Sequence, residues 1–265
     1  MKEISLEEYK KILLDIMKYL DEICRKNDIK YSLIGGTAIG ALRHKGFIPW
    51  DDDIDIILDH NNYEKLKGIL QKIDNDRYFL LDENAPDNYY PFMKLIDKKT
   101  KVIELGYKSI KNYGAFVDIF EYNNTPDNNI LQFIHYYRIL FWKKIMAGLS
   151  WDKTRKDHRG ILFLRYLLAK FIGKKKLLSH YKKICHKYNN RNYNHIISNC
   201  PVNGFKSEIL NAEHFKSFKD IEFEKSKLMI SSNIDEMLTG IFGDYMKLPP
   251  EEKRISNHKM KAYWR

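Results

Sequence analysis

Apolar residues recur with helical spacing from the start of the chain, where Leu6, Tyr9, Leu13, Ile16, Met17, Leu20 and Ile23 form one stripe. Ser5-Leu6-Glu7-Glu8 has the form of a capping box, so the pattern predicts a helix to about Lys26 that packs on a core. Residues 31–34 read as a short buried strand. Gly35-Gly36 break it and lead into a second helix, which runs to about Lys45 with Gly46 as the residue beyond its end and Pro49 following. From Asp53 the pattern alternates with period two, which places Asp53 and Asp55 on one face of a strand and Ile54 and Ile56 on the other. A helix capped by Asn61 or Asn62 follows to about Ile73, then a strand at residues 77–81. Residues 92–97 and 101–105 are expected to form a hairpin around residues 98–100.

Gly114-Ala115-Phe116-Val117-Asp118-Ile119-Phe120 is a nearly continuous apolar strand with one carboxylate in it. Burying a lone carboxylate is costly, so Asp118 either pairs with a basic side chain or faces a metal. A long aromatic-rich helix is predicted at residues 127–149, and Arg138, Lys143 and Lys144 within it argue against a membrane span. Residues 159–176 carry an apolar run too short to cross a bilayer. They have the composition of a helix lying on an anionic membrane surface, or of a buried helix with a basic rim. Helix continues at residues 181–190, followed by an asparagine-rich loop. Short strands are expected at residues 219–223 and 228–230, then a helix from Ser232 or Asn233 to about Phe242. Pro250 suits the first position of a last helix, which would put Arg254 and His258 on one face. There is no repeat, low-complexity tract or flexible linker.

Charge sharpens this outline. The net charge is +11, and residues 151–191 hold 13 Lys/Arg against only Asp152 and Asp157, so the remaining 33 basic and 33 acidic residues cancel. The whole excess lies in one segment, which implies a local anionic partner rather than a uniformly basic protein. Hydrophobic residues make up 44% of the 265 positions, enough for a sizeable core. Charged residues open the chain before any apolar run develops, so no secretory leader is expected. Cys24, Cys185 and Cys200 are widely spaced, with no metal or redox spacing, and a reducing cytosol is the expected setting.

The chemistry concentrates in residues 31–58. A glycine pair at a strand-to-helix junction lets a ligand approach the backbone, and the first N–H groups of the helix, with Thr37 in its first turn, suit a phosphate. Asp53 and Asp55 on one strand face repel each other unless a cation lies between them. Mg²⁺ or Mn²⁺, with substrate phosphates as further ligands, answers that need. A solvated acidic turn is the other reading, and it leaves the Gly-Gly turn unexplained. Lys94, opposite in face to Met93 and Leu95, points to phosphates or is an ordinary solvent-facing strand lysine.

Gly-Gly-Thr, a helix and then Asp-x-Asp resembles the active-site signature of the nucleotidyltransferase (DNA polymerase β-like) superfamily. The longer run Gly40-Ala41-Leu42-Arg43-His44-Lys45-Gly46-Phe47-Ile48-Pro49-Trp50-Asp51-Asp52-Asp53-Ile54-Asp55 resembles the LicD family of phosphotransferases. The stretch from Gly243 to Arg254, with His258 beyond, resembles that family's closing motif. Asp118-Ile119-Phe120 resembles its third-carboxylate strand, although the family more often continues Pro-Leu-Asp where this chain has Glu121-Tyr122-Asn123 in an expected loop. Residues 127–211 are essentially outside the resemblance.

The resemblance implies an α+β fold, a mixed sheet flanked by helices with a helical basic insertion. Residues 1–126 would be the catalytic core, 127–200 the basic helical region, and 201–265 a segment packing back on the core. It further implies metal-dependent transfer of a phospho-alcohol group, phosphocholine-like, from a CDP-alcohol donor such as CDP-choline to a hydroxyl of a cell-surface glycan: lipopolysaccharide, teichoic acid or capsule. Asp53, Asp55 and Asp118 would hold Mg²⁺ or Mn²⁺, and Asp118 would take the acceptor proton. Gly35, Gly36 and Thr37 would hold phosphate, and Arg43, His44, Lys45 and Arg254 would contact the donor. The expected setting is cytoplasmic, peripheral at the inner face of the membrane, with a lipid-linked acceptor and no nucleic-acid partner. Nucleotidyl transfer to a small molecule or RNA is the alternative within the enzyme class, and the wording of residues 43–55 argues against it. A catalytically dead membrane- or nucleic-acid-binding module would require a missing carboxylate, and none is missing.

Overall fold

A computed structural model of the chain describes residues 1–152, 159–255 and 260–265. The first helix, α1 (Leu6–Lys26), opens with the capping box of Ser5 and Glu8 and buries Tyr9, Leu13, Ile16, Met17, Leu20 and Ile23. It is followed by β1 (Ser32–Leu33), α2 (Gly35–His44), β2 (Asp55–Asp59), α3 (His60–Leu70), β3 (Tyr78–Leu81), β4 (Met93–Asp97), β5 (Thr100–Glu104) and β6 (Phe116–Thr125). Three helices come next, α4 (Asn129–Met146), α5 (Arg159–Ile172) and α6 (Lys174–Cys185). The chain then returns to the sheet with β7 (His195–Ser198), a one-turn α7 (Phe205–Glu208) and β8 (Leu210–Asn211). It continues with β9 (Phe218–Phe223), β10 (Ser226–Ser231), α8 (Ile234–Phe242) and β11 (Met260–Trp264).

The main sheet runs β1-β2-β6-β4-β3, with β7 on the later half of β6 and β8 beyond it. β6 is its spine. It pairs in parallel with β2 and antiparallel with β4, so the sheet is mixed, and helices flank it. One hydrophobic cluster joins α1, the sheet and the β9–β10 hairpin, while a second lies among α4, α5 and α6 and reaches Ile197 of β7. Among the described residues no helix is long and apolar enough to cross a membrane.

Several local expectations change. Residues 92–97 and 101–105 do not form a hairpin: β4 is paired on both sides, by β3 and β6, and β5 pairs with β11 from the far end of the chain. Apolar alternation identifies strands but carries no information about their partners. Asp59 caps α3 in place of Asn61 or Asn62, because its carboxylate accepts the Asn62 N–H at 2.9 Å. Glu121, Tyr122 and Asn123 lie inside β6 rather than in a loop. The left-handed residue ending α2 is Lys45, at φ 55°, and not Gly46. Gly46 is small for another reason: a Cβ there would lie 2.2 Å from Oε1 of Glu224 in the β9–β10 turn. Gly173, at φ +83°, separates α5 from α6. The expected last helix is a single 3-10 turn at Glu251–Lys253, and His258 lies outside the described residues.

Candidate functional site

Two strands of the spine bring the acidic groups together. In the parallel β2–β6 pair Asp55 stands directly opposite Asp118, and such partners share one face of the sheet. The Asp118 N–H donates to the Ile54 carbonyl at 3.0 Å, which fixes that register. β2 begins at Asp55, so Asp53 precedes the strand, half-buried, rather than lying within it. The buried Thr37 hydroxyl accepts the Asp55 N–H at 2.9 Å and ties the first turn of α2 to the head of β2. Gly35 adopts φ +54°, and a Cβ on Gly36 would meet Oδ2 of Asp51 at 2.5 Å. The glycine pair therefore lets the acidic run close against the positive end of α2, where carboxylates and phosphates are both favoured.

Electrostatics mark this as a crowded place. Burial pushes the Asp55 carboxyl well above the usual carboxylate range, the charges of Asp53 and Asp118 push it further, and Lys94 pulls the other way. Lys94 is not a solvent-facing lysine. It is buried, its Nζ lies 2.5 Å from Oδ1 of Asp118, and the ring centroids of Phe116 and Tyr90 lie 3.7 and 4.2 Å from it. Asp118 thus has the basic partner that its place in an apolar strand demanded. An oxygen-only donor set of mutually repelling carboxylates fits a hard divalent cation such as Mg²⁺ or Mn²⁺.

The basic residues expected at the donor divide. Arg254 lies beside the residues that lead into the acidic run: its guanidinium carbon is 5.9 Å from the ring centre of Trp50, which immediately precedes Asp51, and its Nε donates to the Pro249 carbonyl at 2.9 Å. Arg43 instead fastens the C-terminal segment to α2, donating to the carbonyls of Tyr245 at 2.9 Å and Lys247 at 3.4 Å and to Nε2 of His44 at 2.9 Å. Burial first, then the charges of Arg43 and Lys10, lowers the His44 pKa. Lys45 is exposed and lies 3.7 Å from Glu222 of β9.

A cavity of about 320 Å³ opens beside Gly35, Gly36 and Asp55. Phe120, Phe215, Met237 and Phe242 give it apolar walls, with Ser198 and Glu208 among its polar groups. The buried Glu208 carboxylate accepts the N–H groups of Val202 and Asn203 at 2.7 and 2.6 Å, bracing one wall. Sequence reading missed these residues as cavity walls, because they come from five different segments and share no spacing.

Residues 28–153 match the family described as LicD/FKTN/FKRP, nucleotidyltransferase domain. The chain is 30% identical over 275 residues to the lipopolysaccharide cholinephosphotransferase LicD of Haemophilus influenzae, across 99% of both proteins. Shorter stretches are 41% identical to an uncharacterized protein of Rickettsia prowazekii, over 73 residues (28% of this chain and 27% of that protein), and to one of Rickettsia typhi, over 71 residues (26% and 23%).

The raised Asp55 pKa has a measurable consequence. An acid whose pKa rises on folding contributes stability below its ordinary value, about 3.9 for Asp, and loses that contribution as pH climbs through the raised value. In chelator at about pH 8 the Asp55→Asn protein is therefore expected to melt a few degrees above the wild type, with the gap closing towards about pH 5. Equal or lower melting at the higher pH would contradict the crowding.

Proposed function

The chain belongs to the LicD/FKTN/FKRP family, and from that premise we propose that it transfers phosphocholine from a CDP-choline-type donor to a hydroxyl of a lipopolysaccharide-type glycan. The observation that carries the reading is the Asp55–Asp118 pair, in register at the glycine end of α2 and beside an aromatic-walled cavity. Asp53, Asp55 and Asp118 would hold Mg²⁺ or Mn²⁺, which would supply charge neutralisation for the donor diphosphate and the departing CMP. The remaining work falls to the chain. Gly35, Gly36 and Thr37 receive phosphate oxygens at the α2 N-terminus. Lys94 holds the Asp118 carboxylate in one orientation, and Asp118 takes the proton of the acceptor hydroxyl. Phe120, Phe215 and Phe242 line the cavity that would take the trimethylammonium group, where an aromatic ring attracts a desolvated cation by about 2 kcal/mol. Transfer of this kind rests on positioning and electrostatics more than on covalent chemistry.

Incubation with CDP-choline, Mg²⁺ and lipopolysaccharide lacking phosphocholine tests the reading. The expected result is CMP release matched by choline on the glycan, reduced by about 10³-fold or more in Asp55→Asn and Asp118→Asn, which is about 4 kcal/mol of barrier. CMP release from CDP-choline with near-normal activity in Asp55→Asn would contradict the site, and no release from any CDP-alcohol would contradict the function.

We further propose that the enzyme meets its lipid-linked acceptor at the cytoplasmic surface of an anionic membrane. On α5, Ile161, Leu164 and Phe171 are 59%, 68% and 89% exposed, and with Leu168 they fall at the spacing of one helical face. Phe133, Ile134 and Phe141 are likewise exposed on α4, which packs against α5, and Lys170, Lys175 and Lys176 are exposed nearby in sequence. Lys174 serves otherwise, donating to the Ala85 carbonyl. Anionic headgroups attract each nearby Lys by about 1 kcal/mol within a Debye length of about 8 Å, and apolar insertion adds a part that salt does not screen. Co-sedimentation should favour anionic over neutral vesicles, weaken but persist in high salt, and fail for Leu164→Glu/Phe171→Glu. Equal partitioning to both vesicle types, or binding unaffected by the double change, would contradict the proposal.

A further inference from the structure

On the opposite face of the sheet from Asp118, a second cluster is built from three distant parts of the chain. Glu121 follows Asp118 by three positions along an uninterrupted β2–β6 ladder, so its side chain projects from the other face. His60 is the first residue of α3, and His186 immediately follows α6. Nδ1 of His60 lies 2.6 Å from Oε1 of Glu121, and Nε2 of His186 lies 3.0 Å from the same oxygen and 3.2 Å from Oε2. The three ligand atoms lie within 4.8 Å of one another, and the imidazole centroids are 4.4 Å apart. We propose that His60, Glu121 and His186 form a binding site for a borderline divalent transition ion, Zn²⁺ in chemical class, that clamps the basic helical region to the sheet.

The donor set selects the ion. Two imidazole nitrogens and one carboxylate suit Zn²⁺, Co²⁺ or Ni²⁺ and are poor company for Mg²⁺, whereas the all-oxygen group around Asp55 has the reverse preference. Glu121 is 3% exposed while both histidines are half-buried, so the carboxylate closes the inner side and the outer side admits water as a further ligand. The carboxylate is already held in its charged form: burial opposes this, but hydrogen bonds from His186 and His60 outweigh it and keep its pKa below the usual range. The carboxylates of Glu64 and Asp59 add negative charge around the His60 ring. On the other side Lys182 is occupied by Glu83, and Lys183 borders His186 in the adjoining groove. A second layer fixes the central ligand. The Glu121 N–H donates to Oδ1 of Asn199 at 3.2 Å, and the Asn199 N–H returns a bond to the Glu121 carbonyl at 2.7 Å. His60 lies 61 residues before Glu121 and His186 lies 65 after it, so one ion would close two long loops between core and helices.

Tag-free, chelator-treated full-length protein titrated with Co²⁺ tests this directly. The expected result is a visible d–d absorption that saturates at one equivalent, is displaced by Zn²⁺ but not by excess Mg²⁺, and weakens as pH falls and protons compete for the ligands. His186→Gln and His60→Gln should each weaken binding at least tenfold in competition with a chromophoric chelator, while Asp55→Asn leaves the spectrum unchanged. Zn²⁺ should raise the melting temperature of the wild type but not of His186→Gln. Absence of a Co²⁺ spectrum in the wild type, or one that survives in folded His186→Gln, would overturn the site and leave the cluster as a hydrogen-bonded His-Glu-His contact.

Discussion

The repulsion among carboxylates at the head of β2 is the constraint on which the rest of the site depends. Asp53 and Asp118 add their charge to the burial that already makes ionisation of Asp55 costly, and Lys94 acts in the opposite direction. A fold selected for stability alone would not collect these groups, since a buried charge needs full compensation. These carboxylates lie at a helix N-terminus that itself favours anions, and on that grouping we read the site as one for a cation and a phosphate-bearing ligand.

The surrounding architecture holds that arrangement in place. β6 gives Asp118 to the acidic face and Glu121 to the opposite one, while β4 delivers Lys94 directly across from Asp118. Thr37 locks α2 to β2, and glycine at 35 and 36 allows the two to close. The C-terminal part of the chain completes the site from the other side. Arg43 secures residues 245–247, Arg254 is carried to Trp50, and α8 with residues 198–215 walls the cavity. Exposed apolar surface, in contrast, is concentrated on α4 and α5, away from the sheet ladder that carries the carboxylates.

Local patterns were legible because their causes are local. The α1 stripe and its capping box, the Gly-Gly break, and the carboxylate set in an apolar strand each follow from residues close in sequence, and the structure realises all three. What escaped reading depends on distant pairing. β5 alternates like a hairpin strand yet takes β11, Lys94 looks like a surface lysine yet is buried by Phe116 and Tyr90, and Glu121 reads as a loop residue until His60 and His186 arrive beside it. Arg43 shows the same limit. Nothing near it in sequence indicates that its guanidinium reaches the backbone carbonyls of Tyr245 and Lys247, some 200 residues away.

The central claim is that the Asp55–Asp118 group receives a hard divalent cation jointly with the donor diphosphate. Its most direct test is Mn²⁺ binding, followed by electron paramagnetic resonance with and without CDP-choline, in the wild type and in Asp118→Asn. The account predicts weak Mn²⁺ binding that CDP-choline tightens, with both the binding and its tightening lost in the variant. Mn²⁺ binding of equal strength in Asp118→Asn, or binding indifferent to CDP-choline, would contradict it.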